Sequence, residues 1–351
     1  MPSTHRMFIG TYTKAASKGI YAVSLDAATG SLSEPALAAE APNPTYIALS
    51  PDKAYLYAVR ADAGWASSFK VSPDKRALAS IQEGQLSTGP TPCHISVDAT
   101  GAIALAANYH LGMAAAIPLE GNGAMGKPRV VAHDGKGPHP TRQTTSHVHS
   151  TYFAPDGRFA IICDLGLDRV YTYVIDREKV SLIAGSPPFV TTEPGVGPRH
   201  FAFGKDGLQA YVITELGNTI IVYDFLPANG GLVQRQVVSV RPPGFEGETT
   251  AAEVRVHPNG KFVYGSSRGS DTIAVFAADA KTGDLSPLEY IPCGGKGPRS
   301  FTLSADGLWL VCAHQDSNTL CSFQVDPSTG HLTRIPGTVA VSMPVCVLFA
   351  D

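Results

Sequence analysis

Residues 147–165 read HVHSTYFAPDGRFAIICDL, an apolar run, a Pro-Asp-Gly turn at 155–157, and a second run rich in β-branched and aromatic side chains. Two such runs on either side of a tight turn read as an antiparallel strand pair. The same punctuation recurs in PTYIALSPDKAYLYAV from Pro44, PCHISVDATGAIALAANY from Pro92, PRHFAFGKDGLQAYVITEL from Pro198, AAEVRVHPNGKFVYGSSRG from Ala251 and PRSFTLSADGLWLVCAHQD from Pro298. Aligned on Lys53, Gly101, Gly157, Gly207, Gly260 and Gly307, the turns are 48, 56, 50, 53 and 47 residues apart. Each copy continues into a third β-rich run (SSFKV, AAAIPL, RVYTYVID, TIIVYDF, TIAVFAAD, TLCSFQVD) and a polar turn toward a fourth. A four-strand unit repeating about every 50 residues is a propeller blade.

The two ends of the chain supply one more blade. MFIGTYT and the following GIYAVSLDAATGSL have second- and third-strand patterns with no first strand before them, whereas the closing PVCVLFAD has the first-strand pattern. Pairing them closes the ring and removes two open edges. The sequence therefore predicts one all-β domain over residues 1–351, a seven-bladed β-propeller with four antiparallel strands per blade. Blade one spans about residues 42–89, and later blades begin near residues 90, 147, 197, 250 and 297. Six and four residues before the turn stand Ile47 and Leu49, Ile95 and Val97, Thr151 and Phe153, Phe201 and Phe203, Val254 and Val256, and Phe301 and Leu303. These are expected to pack between blades.

Composition excludes other classes. The 351 residues carry 27 Lys plus Arg against 30 Asp plus Glu, a net charge of −3, so bulk charge offers no attraction to nucleic acid. The 35 glycines and 27 prolines argue against a helical bundle, and a 44% hydrophobic content against a disordered chain. No apolar run approaches the roughly 18 residues of a membrane helix, and Met7–Ile9 is too short for a secretory core. A cytoplasmic protein without membrane or nucleic-acid partners is expected. Six cysteines (Cys93, Cys163, Cys293, Cys312, Cys321, Cys346) form no C-x-x-C pair and read as buried reduced thiols. A closed ring needs no partner to cover its edges, so a monomer is expected.

Ionisable residues gather at one end of the repeat. Eight residues before the turn stand Thr45, Cys93, His149, Arg199, Ala252 and Arg299, and the next position adds His94, His200 and Glu253. The second strand returns antiparallel, bringing Asn108, Tyr109, Asp164, Glu215, Arg268, His314 and Gln315 to the same mouth of a central channel. Such convergence is where small-molecule sites form. His149 and Glu215 are candidates for proton transfer, while Arg199, Arg268 and Arg299 suit a carboxylate or phosphate. The expected substrate-binding set is His94, Tyr109, His147, His200, Glu253, Arg299 and Gln315.

Other chemistries lack their signatures. No G-x-S-x-G occurs, and no spacing pairs Cys93 with a histidine, so an acyl-enzyme is not expected. His147 and His149 share a strand face without a carboxylate-rich ligand motif, so neither a metal nor another cofactor is expected. The glycines of GKGPHP, GVGPRH and GGKGPR precede strands and read as loop glycines, not a nucleotide fingerprint. Asp168-Arg169 sits in a tight turn equivalent to Asn218-Thr219 and Asp271-Thr272, which turn chemistry explains. Asp164 is either a rim group or a tie to Arg169. Segments 134–146 and 241–250 lengthen two blade entrances as rims, lids or plain loops.

FIGTYT, HVHSTYFAPDGRF, DLGLDRVYTY, GPRHFAF, TEL, GETTAAE, SSRGSDTIAVF, GPRSF, AHQDS and PVCVLF together resemble, in order over nearly the whole chain, the lactonase family of seven-bladed propellers. That family includes 6-phosphogluconolactonases and carboxy-cis,cis-muconate cycloisomerases. The resemblance implies a catalytic set of His149, Arg199, Glu215 and Arg268. Thr214 and Ser267 stand where the family often has Asn, and NYHLGM replaces a glycine-rich stretch. The implied reaction is hydrolysis of a sugar lactone, foremost 6-phosphoglucono-1,5-lactone, by direct attack of water. Glu215 or His149 would accept the proton, Arg199 or Arg268 would stabilise the oxyanion, and Arg299 would hold the phosphate. The alternatives are a lactonase for an unphosphorylated sugar lactone, a cycloisomerase acting on a carboxy-muconate-like dicarboxylate, and a non-catalytic interaction propeller. The absence of W-D dipeptides and the convergence on one mouth argue against the last.

Overall fold

The computed structural model describes residues 3–60, 66–82 and 92–351. Blade three shows how the repeat folds. Val148–Phe153, Phe159–Asp164, Arg169–Asp176 and Ser181–Thr191 lie side by side in chain order. The first turn closes through the Gly157 N–H on the Ala154 carbonyl, 2.8 Å, with Gly157 at φ +68°, where a side chain would be strained. Phe159–Asp164 is buried along its whole length because both faces are covered, whereas the outer strand is largely exposed.

Seven sheets repeat this plan. Their inner strands, Ile47–Leu49, Pro92–Val97, Val148–Phe153, Pro198–Phe203, Thr250–Val256, Pro298–Leu303 and Pro344–Phe349, adjoin one another in that order, and the last adjoins the first. The ring is closed. Its closure is the one expected from the ends: Thr4–Thr11 pairs antiparallel with Gly19–Asp26 on one side and Pro344–Phe349 on the other. Blade six departs from four strands. Leu332–Arg334 and Val339–Ala340 share the outer edge of Thr319–Val325, interrupted at Pro336-Gly337, where proline has no N–H for the ladder. The boundary expected near residues 89–90 lies outside the described residues.

Apolar contacts run between blades. Phe159, Ile161 and Cys163 of blade three pack with Phe201, Val212 and Tyr223 of blade four. The residues six before each turn are all buried. Those four before it (Leu49, Val97, Phe153, Phe203, Val256 and Leu303) are only partly buried, because the inner strands there approach the opposite mouth of the channel. All six cysteines are free; five are buried and Cys93 partly so.

Two irregularities in the repeat position the site. The first is a β-bulge at the start of the inner strand. Val148 pairs with Asp164 but Ser150 with Cys163, leaving His149 as the extra residue. The same shift isolates Cys93, Arg199 and Arg299, while in blade five Ala252 and Glu253 together span one partner. A bulge frees a side chain from ladder alternation and re-aims it. The second is a left-handed residue between strands two and three. Asp168, Asn218, Asp271 and Asn318 have φ between 52° and 58°. Their side chains tie down the entrance loop of the next blade at Gly195 and Gly197, Thr249, Gly297 and Met343 respectively. The turn conformation is as expected, but these residues also fix the loops that lead to the bulges.

Candidate functional site

Glu215 follows the strand Gln209–Thr214 and is 4% exposed. Its Oε2 accepts from Arg199 Nε at 2.8 Å and lies 3.2 Å from Arg268 Nη2 and 3.9 Å from His149 Nε2. The four residues of the implied catalytic set thus meet at one carboxylate. Two are rigidly held: Arg199 Nη1 also donates to the Ala252 carbonyl, and Arg268 Nη2 donates to the Ala251 carbonyl at 3.0 Å. Burial alone would raise the Glu215 pKa, but Arg268, Arg199, His149 and Arg142 hold it well below the ordinary carboxylate value. His149 moves the other way in charge: burial, joined by Arg199 and His200, holds its pKa far below 6.5, leaving a neutral imidazole.

Glu215 Oε1 has a different partner, Arg142 Nη2. Arg142 belongs to segment 134–146, and its side chain is 37% exposed. The lengthened blade entrance marks this segment in the sequence, but nothing there marks this residue. Nothing in strand periodicity marks it, because it lies on no strand.

The cavity above these groups has a volume of about 400 Å³. Tyr12, Lys14, Cys93, Tyr109, His110, Arg142, His149, Glu215, Arg268 and Arg299 contribute to its wall. It continues past Arg142, Thr250 and Arg268 into an open lobe of about 730 Å³, whose far wall includes Arg241 and Glu246 to Thr249. Both lengthened segments therefore border the cleft. Arg299 and Lys14 flank the Tyr12 ring at 5.6 and 5.1 Å, and neither has a carboxylate within 4 Å among the described residues. Burial pushes the Cys93 thiol up to about 12, and its Sγ donates to the His149 carbonyl at 3.2 Å, an environment that disfavours the thiolate.

The expected substrate-binding residues divide. Tyr109 and Arg299 line the cavity. His147 and Gln315 stand behind them: His147 stacks on Tyr109 at 4.2 Å and donates Nδ1–H to its carbonyl, and the Gln315 Oε1 accepts from Arg299. His94, His200 and Glu253 are buried deeper in the channel and do not line the cavity. His200 Nδ1 donates to Glu253 Oε1 at 3.0 Å and Nε2 accepts from Arg199 at 3.2 Å, while His94 packs on the Tyr46 ring at 4.1 Å. All three are at most 2% exposed. Asp164 is not tied to Arg169; it binds His133, Ser146 and the His147 N–H, while Arg169 stacks over Phe189.

A closed ring of seven blades with a cation-rich cleft at one mouth, built on bulged inner strands, defines a propeller with the makings of a small-molecule site. The chain belongs to the lactonase family of seven-bladed β-propellers, whose profile, described as "Lactonase, 7-bladed beta-propeller", matches residues 6–349. A 6-phosphogluconolactonase of Bacillus subtilis is 39% identical over 345 residues, 97% of each chain. The structure of the Pseudomonas aeruginosa periplasmic gluconolactonase superposes with a TM-score of 0.94 at 32% identity, covering 99% of both chains. That of a Lactobacillus plantarum protein gives 0.93 at 32% identity, covering 99% of this chain and 100% of the other. No helix among the described residues is long and apolar enough to cross a membrane.

Proposed function

We propose that this lactonase-family protein hydrolyses a sugar lactone, 6-phosphoglucono-1,5-lactone, to the open-chain acid. The observation that carries the reading is the charge of the cavity: Lys14, Arg142, Arg268 and Arg299 against Glu215 as the only carboxylate among the described lining residues. The B. subtilis relative bears the name of this activity, and the P. aeruginosa neighbour is named for a related lactone.

The attacking water is held by His149 Nε2 and Glu215. His149 takes its proton as the oxygen bonds to the lactone carbonyl, and Glu215, 3.9 Å away, stabilises the imidazolium that forms. Its low proton affinity and three guanidinium partners suit Glu215 to that role more than to accepting the proton itself. Arg268 lines the cavity and donates to the growing oxyanion; Arg199, buried beneath, orients Glu215. Collapse breaks the ring C–O bond, and the leaving oxygen takes the proton back from His149. Lys14 and Arg299 bind the phosphate. A monomer in the cytoplasm belongs to the same proposal and accords with six unpaired thiols.

The test is acid release from freshly generated 6-phosphoglucono-1,5-lactone, corrected for spontaneous hydrolysis, with Arg268→Ala alongside. Turnover by wild type, reduced about 100-fold in the variant, is the expected outcome. A wild-type rate equal to background retires this substrate and turns the search to unphosphorylated lactones and muconate-type dicarboxylates.

A further inference from the structure

Three guanidinium groups converge on Glu215, and they are not equivalent. Arg199 and Arg268 come from blade strands, are anchored to backbone carbonyls and share Oε2. Arg142 alone takes Oε1. Its other side-chain hydrogen bond is a 3.5 Å contact with the Tyr109 hydroxyl, at the limit of hydrogen bonding. The backbone beneath it is fixed. Neighbouring Gln143 is fully buried and donates to the Leu165 carbonyl at 2.8 Å and to Asp168 at 2.7 Å, and Ser146 donates to Asp164 at 2.6 Å. The side chain of Arg142 is therefore the movable part. It stands where the two lobes of the cleft meet, within reach of any group in either.

We propose that Arg142 is a latch on Glu215, opened by an anionic substituent of the substrate that lies away from the lactone carbonyl. This rests on the lactonase reading above. With Arg142 in place, the carboxylate is surrounded by three guanidinium groups, and little of its charge is left to stabilise an imidazolium on His149. A phosphate or carboxylate on the substrate offers Arg142 a better exposed partner, and bidentate geometry suits a guanidinium to either. Once Arg142 moves across, Glu215 keeps Arg199 and Arg268, and Oε1 faces the cavity. His149 then becomes the stronger base. A neutral lactone lacks the group that moves the latch, so the same contact that silences the site selects the substrate.

The charged and titratable groups facing His149 and Glu215 are Arg199, Arg268, Arg299, Arg142, His200, Tyr109 and Cys93. Only Arg142 is changed in the test. Wild type, Arg142→Ala and Arg142→Lys are assayed on 6-phosphoglucono-1,5-lactone, on glucono-1,5-lactone and on a glucaric acid lactone, which carries a carboxylate in place of the phosphate. In Arg142→Ala, kcat/KM for the phosphorylated lactone is expected to fall about tenfold, mainly through KM, while kcat for the neutral lactone rises several-fold. The acid limb of its pH profile moves to higher pH, because a cation has left the surroundings of the base. Arg142→Lys restores most of the preference. If the carboxylated lactone loses its advantage in parallel, the latch serves any anion; if it has none to lose, the latch is specific to phosphate. An equal loss on charged and neutral lactones with an unmoved acid limb would overturn the latch and leave the lactonase reading intact. Absence of wild-type turnover on all three lactones would remove that reading, and the latch with it.

Discussion

Arg199 and Glu215 stand 16 residues apart in the chain and meet at 2.8 Å, with both side chains almost fully buried. Arg199 is the bulged residue of its strand, and it meets Glu215 at the end of the returning strand, beneath the cavity. Removing one member of a buried pair leaves the other uncompensated, at a cost of about 3 kcal/mol or more. Arg199→Met is expected to lose about that much in urea unfolding. A loss below about 1 kcal/mol would mean that Arg268 and Arg142 suffice to hold the carboxylate.

His149→Asn and Glu215→Gln should each lower kcat by about 10²- to 10⁴-fold, with smaller changes in KM. If the two act as a unit, the double variant will be little worse than either single one. Initial rates on the phosphorylated lactone measure this, and multiplicative losses would assign them separate tasks.

Lys14→Gln and Arg299→Gln remove the cations beside Tyr12 that meet no carboxylate among the described residues. Each is expected to raise KM for the phosphorylated lactone about tenfold while changing kcat less than about threefold, as befits a charged contact of about 1.5 kcal/mol made equally in ground and transition states. A fall in kcat with constant KM would place these groups at the reacting carbon instead.

Burial holds His94, His149 and His200 far below their ordinary pKa of 6.5. A group with a depressed folded pKa contributes stability above its unfolded pKa and loses it as pH falls through the folded value. Urea midpoints should therefore drop between about pH 7.5 and pH 5.5. Glu253, raised by burial, acts with the opposite sign. His94 accepts from the Thr151 N–H through Nδ1, so protonation there breaks a bond, and His94→Gln isolates its share. The variant's midpoint should fall less steeply, and identical slopes would show that His94 is not the protonated group.

Turnover should be indifferent to a chelator. Glu215, the cavity's only carboxylate among the described residues, already meets three guanidinium groups, leaving no anionic donor set for a divalent cation. Loss of activity in EDTA, restored by one metal, would contradict this.

The propeller could be read from the sequence because its turns recur at nearly constant spacing and its two ends carry complementary strand patterns. His149, Arg199, Glu215 and Arg268 could be gathered at one mouth because antiparallel return fixes which residues share an end. Depth could not be read in this way. A period-two pattern does not reveal a bulge, so register alone brings His94, His200 and Glu253 to the rim as substrate-binding candidates, whereas their side chains are buried and outside the cavity lining. Arg142 was hidden for another reason. Its position depends on Gln143 and Ser146 bonding to Leu165, Asp168 and Asp164 in the adjoining hairpin, contacts between loops that no repeat encodes.

In five inner strands the bulge leaves a residue without a partner in the ladder, so strand alternation does not dictate its side chain. His149, Arg199 and Arg299 occupy three such places, while Cys93 and Ala252 fill others with small side chains. Of these two, only Cys93 lines the cleft; Ala252 is fully buried, and its carbonyl accepts from Arg199. Substitution at Cys93 would alter the cleft's chemistry without breaking a ladder hydrogen bond, which makes this one position a natural starting point for evolving new selectivity.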